Sequence, residues 1–187
     1  MIRRATPEDA AAVAPLLLII WKDMELPILQ QETEERVAET LEQAILLPDY
    51  RYFYEHLYVD DREGQIAGVV AGYPGEIEPK IEAPWQVAAE KTGLAFREPV
   101  FTDAETFPGE WYLDSIVASP AFRGQGVGTA LLTALPEIAK QAGAQVIGLN
   151  CDYGNPAAKR LYERFGFKRT EEIMIGTHLY EHMQLYL

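Results

Sequence analysis

Apolar positions along the chain repeat with two periods, about 3.6 residues in some stretches and about 2 in others, and the changes from one to the other mark out its elements. Met1 to Ala5 reads as a short strand. Thr6-Pro7-Glu8-Asp9 then opens a helix, with Thr6 as the cap, Pro7 at the first helical position and acids in the first turn, and this helix is expected to run to about Met24. Glu34 to Leu47 puts Val37, Leu41, Ala44 and Ile45 on one helical face and stops at Pro48. Tyr52 to Val59 and Gln65 to Tyr73 are rich in β-branched and aromatic residues and read as strands, joined by Asp60-Asp61-Arg62-Glu63-Gly64 as a hairpin connection.

Residues 74–110 break this regularity. Pro74, Pro79, Pro84, Pro99 and Pro108 interrupt them, and one short helix is expected near Trp85 to Lys91. A connection of this length inside a compact domain is read as an insertion or flap, either a binding loop or a structural cover. Beyond it, Trp111 to Ala118 is a strand, a Gly-rich turn leads into a helix from about Gly126 to Gln141, and Gln145 to Cys151 is a buried strand. Pro156 to Phe165 forms a helix ended by Gly166, and strands at Lys168 to Ile175 and His182 to Leu187 meet at a Gly176-Thr177 turn. The order is β-α-α-β-β-β-α-β-α-β-β in a single domain over 1–187, a length at which about 70% of the unfolded chain's surface is buried.

With 48% hydrophobic and 24% charged residues, the composition is that of a packed globular domain. The longest apolar stretch, Ala10 to Trp21, is shorter than the about 20 residues a membrane span requires and contains Pro15. Glu8 and Asp9 stand where the basic region of a secretory signal would lead into its apolar region, so a cytoplasmic location is expected. Cys151 is the lone cysteine and can form no internal disulfide. A net charge of -13 disfavours nucleic acid and anionic membranes as partners. An anionic ligand would have to be held by local backbone dipoles and a few local cations.

Such a place exists after Ala118. Ser119-Pro120-Ala121-Phe122 leads into Arg123-Gly124-Gln125-Gly126-Val127-Gly128-Thr129, where glycines free the backbone to aim several N-H groups at one point and the following helix adds the positive end of its dipole. A strand, loop and helix in this arrangement suit a pyrophosphate. A Walker A loop would need Lys-Ser or Lys-Thr after its last glycine, and Gly128 is followed by Thr129-Ala130; a dinucleotide fingerprint needs G-x-G-x-x-G, and these glycines are two apart. A glycine-rich turn with no ligand remains the plain alternative for the loop taken alone.

A second segment adds to it: Asn155-Pro156-Ala157-Ala158-Lys159-Arg160-Leu161-Tyr162-Glu163-Arg164-Phe165-Gly166-Phe167. With both segments, the chain resembles the GNAT superfamily of N-acetyltransferases. Arg123, Gly126 and Gly128 match that family's Arg/Gln-x-x-Gly-x-Gly/Ala signature, and Asn155, Ala158, Tyr162, Gly166 and Phe167 match its later Asn-x-x-Ala-x-x-x-Tyr-x-x-x-Gly-Phe. The resemblance covers Trp111 to Phe167 by motif and the ends by pattern. It implies an α+β fold, an α/β/α sandwich on a mixed, mostly antiparallel sheet of about six or seven strands whose fourth and fifth strands splay apart.

The resemblance also implies roles. Acetyl-CoA would be the co-substrate and an amine the acceptor, attacked directly in a ternary complex with no metal. Backbone groups of Ile116, Val117 and Ala118 would pair with the pantetheine arm, and Arg123, Gly124, Gln125, Gly126, Val127, Gly128 and Thr129 would hold the pyrophosphate. Asn155 and Ala158 would meet the pantetheine, and Lys159 the nucleotide end. Tyr162 would protonate the leaving thiolate, its plain alternative being a packing tyrosine. Asp114 would be the base, with an ordered water as the family's other solution and a substrate anchor or structural hydrogen-bond partner as further readings. The runner-up function is a non-catalytic acyl-CoA-binding module with a closed acceptor cleft. Family members commonly pair, which leaves a homodimer open.

Three features read as bland. Cys151 ends an apolar strand and reads as core. His178 and His182 have no third ligand near them in sequence, so no metal site is expected. Glu98, Asp103, Glu105 and Glu110 read as a solvated charged flap, with attraction of a cationic substrate as the alternative.

Overall fold

In the computed structural model, which describes residues 1–187, the strands are β1 (Ile2–Arg4), β2 (Leu57–Arg62), β3 (Gln65–Pro74), β4 (Trp111–Ala118), β5 (Val146–Asp152), β6 (Lys168–Ile175) and β7 (His178–Tyr186). The helices are α1 (Ala10–Asp23), α2 (Ile28–Gln31), α3 (Glu34–Ile45), α4 (Pro84–Thr92), α5 (Val127–Gln141) and α6 (Pro156–Arg164). The strands make one seven-stranded sheet in the order β1-β2-β3-β4-β5-β7-β6. Every neighbouring pair is antiparallel except β4 and β5.

One face of the sheet carries α1, α3 and α4, whose Val13, Leu17, Trp21, Val37, Leu41 and Trp85 form a core with Leu57, Val59 and Val69. On the other face, Val127, Leu131 and Leu135 of α5 pack with Ile147, Leu149 and Phe167. Two apolar layers therefore enclose the sheet as helix, sheet and helix. No helix is long and apolar enough to cross a membrane.

The structure moves some expected boundaries. Tyr52 to His56 is not strand: Tyr50 and Tyr52 are buried among Trp21, Trp85 and Phe101, and a 3-10 turn at Tyr54–His56 precedes β2. The aromatic run there serves packing rather than strand pairing. At the other end β2 continues to Arg62, because Glu63 (φ 56°) and Gly64 (φ 85°) alone turn the chain. Positive φ at both central residues is the tight hairpin geometry that suits the twist of the flanking strands. The first helix begins with a 3-10 turn at Pro7–Asp9, and Asp9 accepts hydrogen bonds from the Thr6 N-H at 2.8 Å and the Thr6 hydroxyl at 3.2 Å. β7 starts at His178, four residues before the sequence pattern suggests, directly after the Gly176-Thr177 turn.

Residues 75–110 hold a 3-10 turn at Gly75–Lys80 and helix α4, whose Trp85, Ala88 and Ala89 are buried in the core. Glu105 and Glu110, read from the sequence as part of a solvated charged flap, are buried, whereas Glu98 and Asp103 are exposed. Each buried acid has its own partners: Arg51 and Tyr112 for Glu105, and His182, Gln184 and the Phe107 N-H for Glu110. Paired charges are the ones a protein interior tolerates.

Candidate functional site

The sheet opens in the middle. β4 and β5 pair only at Trp111, Tyr112 and Leu113, opposite Ile147, Gly148 and Leu149, and beyond Leu113 β4 has no strand on that side. The pairing of β3 with β4 jumps from Gly72–Leu113 to Ala71–Ser115, leaving Asp114 as the extra residue of a bulge. A bulge bends a strand and re-aims its side chains. A cleft of about 280 Å³ fills the opening.

This cleft gathers many of the residues singled out in the sequence. Asp114, Ile116, Ala118, Gly128, Asn155, Ala158 and Tyr162 all line it. The Val117 side chain is buried against the opposite core, which leaves only its backbone to the opening.

At one end lies the glycine loop. Gly124 (φ 73°) and Gly126 (φ 76°) adopt left-handed conformations, and Gly126 caps α5. The N-H groups of Gly124, Gly126, Val127, Gly128 and Thr129 have no backbone acceptor, while that of Ala130 donates to Gly126 O at 2.9 Å. Unpaired donors at a helix start are an anion site in waiting. Gly128 is helical, and nothing lies within 4 Å of the position a Cβ would take, so a ligand can approach its backbone. Val127 fixes the loop by burying its side chain in the core. Arg62 braces it further with a hydrogen bond to the Gln125 carbonyl at 3.2 Å, and Arg123 is exposed.

Two of the expected contacts change in detail. Asn155 uses its Oδ1 to accept the Ala158 N-H at 3.0 Å and so caps α6, leaving its amide NH2 as the group for a ligand. Lys159 lies with Nζ at 2.7 Å and 2.8 Å from the two oxygens of buried Glu181. Its ammonium is thus paired with an internal carboxylate.

Tyr162 stands on α6 with its ring edge-on to Phe167 at 5.9 Å. Burial, followed by the nearby Cys151 sulfur, raises its phenol pKa, so it is a neutral proton donor at physiological pH. Burial pushes the Cys151 thiol up to about 11, which keeps it protonated and unsuited to nucleophilic attack.

Asp114 is more heavily engaged than the sequence suggests. Its Oδ1 accepts from the Tyr52 hydroxyl at 2.8 Å and the Ser115 hydroxyl at 2.9 Å; its Oδ2 accepts from the Tyr73 hydroxyl at 2.9 Å and from Arg51. Four donors, one of them cationic, therefore occupy both of its carboxylate oxygens. These contacts fit the alternative reading of Asp114 as a structural hydrogen-bond partner.

Arg51 and Glu105 were missed by sequence reasoning. Arg51 is buried, with Glu82 at 2.8 Å, Glu105 at 3.4 Å and Asp114 in contact, and its guanidinium lies 4.1 Å from the Phe101 ring centroid. A signal was present: a lone cation inside Tyr50-Arg51-Tyr52-Phe53-Tyr54 is carried into an aromatic core and must find counter-charges there. Glu105 lines the cleft as well. No cluster of three or more His, Cys, Asp or Glu is arranged to hold a metal ion.

Splayed parallel strands, an amide cradle and a phenol over one cleft are the features that the sequence resemblance leads one to expect. Comparison with known proteins agrees: residues 18–167 match the acetyltransferase (GNAT) family, and the chain belongs to that family. A crystal structure of an acetyltransferase is 47% identical with a TM-score of 0.90, covering 100% of this chain and 98% of its own. An N-acetyltransferase from Staphylococcus aureus Mu50 is 32% identical with a TM-score of 0.87, over 99% of this chain and 100% of its own. An uncharacterized N-acetyltransferase of Methanocaldococcus jannaschii is 28% identical over 66% of this chain, which spans 47% of that relative's length.

Proposed function

We propose that the chain transfers an acetyl group from acetyl-CoA to a primary amine by direct attack in a ternary complex. The observation that carries this reading is the set of unpaired amides of Gly124 and of Gly126 through Thr129, at the mouth of a cleft walled by the unpaired edge of β4. Those amides fit a pyrophosphate in a protein whose net charge of -13 offers no general attraction for one. Ile116, Val117 and Ala118 supply backbone groups that a pantetheine arm pairs with as an added strand, and the Asn155 amide NH2 supplies a donor. Bound there, acetyl-CoA provides an activated thioester.

The chain's own residues then hold and move protons. A β4 N-H on the open edge polarises the acyl carbonyl, and Tyr162 donates its proton where negative charge gathers on sulfur. A second cavity of about 330 Å³ meets the cleft and provides an acceptor side, which favours catalysis over a binding module with a closed acceptor cleft.

The test is thiol release from acetyl-CoA with a panel of primary amines, alongside calorimetry with coenzyme A. Saturable binding with release for at least one amine is expected. Saturation without release for every amine would support the binding module, and no binding at millimolar coenzyme would reject the site itself. Tyr162→Phe is expected to lower kcat by about 10²-fold or more while the coenzyme Kd stays put; equal turnover in the two proteins would reject the acid role.

A further inference from the structure

Two cavities meet at one acid. The cleft beside β4 and the second cavity share the lining residues Met24, Phe101, Glu105 and Ile175, and Glu105 is the only polar one among them. The second cavity runs past Glu25, Glu98 and Asp103 and has no Lys or Arg in its wall. We propose that Glu105, at the junction of the two cavities, is the catalytic base that takes the proton of the incoming ammonium. The proposal rests on the acetyl-transfer reading above and deepens it.

Charge counting singles this acid out. Glu82, Glu105 and Asp114 share one guanidinium, so the three cannot all be ionised without leaving an unbalanced buried charge. Asp114 and Glu82 lie closest to Arg51, and Asp114 also has three hydroxyl donors. Glu105 is the most distant, at 3.4 Å, and its other oxygen accepts only from the Tyr112 hydroxyl, at 2.9 Å. It is the acid whose proton is most easily gained and lost.

The groups facing it agree. Burial raises its pKa most, Arg51 draws it down, Asp114 pushes it up, the Tyr112 hydrogen bond lowers it and Glu78 raises it again, so that it settles at about 7. Tyr73, Tyr112 and Tyr180 also face it and are neutral, their own pKa values raised chiefly by burial. A carboxylate titrating near neutrality is matched to the work of a general base.

Its position is fixed on both sides. The Glu105 N-H donates to Glu78 Oε1 at 2.8 Å, and its carbonyl accepts from Asn150 Nδ2 at 2.9 Å. Asn150 also donates to the Tyr112 hydroxyl at 3.0 Å, which in turn donates to the Glu105 carboxylate. A side chain so held keeps the placement that proton transfer requires.

An alkylammonium sheds two protons on becoming an amide. Glu105 takes the first, freeing the lone pair that forms the C-N bond, and later passes that proton to water. The second leaves to water as the C-S bond breaks, and sulfur receives a proton from Tyr162, which recovers one from water. One proton is released per turnover, and both side chains return to their starting states.

The test compares Glu105→Gln with the native chain in three measurements. Expected for Glu105→Gln are a 10²- to 10³-fold lower kcat on an amine that the native chain acetylates, loss of the ionisation near pH 7 from the kcat/KM profile, and an unchanged coenzyme A Kd, which also reports that the variant folds. Independently of turnover, carbon-13 NMR of glutamate-labelled native protein should show one carboxyl titrating between pH 6 and 8 and missing from Glu105→Gln. Native kcat and pH profile in the variant would overturn the proposal, as would the absence of such a carboxyl in the native chain. Native protein that binds coenzyme A but acetylates no amine would instead sink the acetyl-transfer reading, and this one with it. If Glu105→Gln fails to fold, the native titration and pH profile still decide.

Discussion

Replacing Arg51 by Met tests how the reacting end of the cleft is held together. Met keeps the apolar length of the side chain and removes the charge that Glu82, Asp114 and Glu105 share. Removing one partner from a buried ion pair costs about 3–5 kcal/mol because the remaining charge is left uncompensated. Lost guanidinium contact with the Phe101 ring adds to that, and protonation of the orphaned acids relieves part of it. For a chain of this length each kcal/mol shifts Tm by about 2–4 °C, so a fall of about 6–20 °C is expected at pH 8.

The pH dependence carries the sharper test. Glu82 and Glu105 already have raised folded pKa values, chiefly from burial, and without Arg51 nothing draws them back. An acid whose folded pKa exceeds its unfolded value binds more protons when native, so its contribution to stability is present below the unfolded pKa and is lost as pH rises through the folded one. In the native chain that window reaches from the ordinary carboxylate range to about 7. In Arg51→Met it extends higher, and the gap to the native protein should widen steadily from pH 5 to pH 8. Urea unfolding at several pH values measures it. A gap below about 1 kcal/mol at pH 8, the size of an exposed ion pair, or one that does not change with pH would refute the shared-cation account.

Three further outcomes follow from named contacts. Gly126→Glu puts a side chain where φ is 76° and a carboxylate among the amides, so calorimetry should detect no coenzyme A binding; retained affinity would place the cradle elsewhere. Gly148→Ala drives a Cβ into the Glu110 carboxylate, which His182, Gln184 and the Phe107 N-H hold in place; a loss of about 1–3 kcal/mol in urea unfolding is expected, and an unmoved midpoint would contradict it. Lys159→Met should lower the urea midpoint, by less than loss of a fully buried pair because Lys159 is partly exposed, and leave the coenzyme Kd unchanged; a tenfold weaker Kd would show that the lysine reaches the ligand.

What could be read from the sequence and what could not divide along the range of the interactions. β4, the glycine loop, α5, β5 and α6 stand within a residue or two of their expected bounds. Each is set by neighbours a few positions away: alternation for the strands, glycine φ for the loop, Pro156 and Gly166 for α6. The burial of Tyr50 and Tyr52 has no local cause. Their rings are placed by Trp21, Trp85 and Phe101, which come from other elements, so an aromatic run that scores as strand becomes core. The site divides in the same way. Its ligand-holding half is a contiguous motif, while Arg51 meets Glu105 across 54 positions and Asp114 across 63. No spacing rule connects such residues, so the sequence shows neither the Arg51 partner of Asp114 nor the burial of Glu105.

The two halves of the cleft handle charge by different means, and on the proposed reading this is how an acidic protein would work on an anionic co-substrate. At the loop end the positive potential comes from oriented amides and a helix terminus, which carry no titratable proton and respond to neither pH nor the net charge. At the other end a single buried cation is surrounded by more carboxylates than it can neutralise. That excess keeps one acid near its titration point, and it persists only while Arg51 is closer to Glu82 and Asp114 than to Glu105. In the proposed reaction the contribution of Asp114 to proton transfer runs through its neighbour, because its charge raises the affinity of Glu105 for protons.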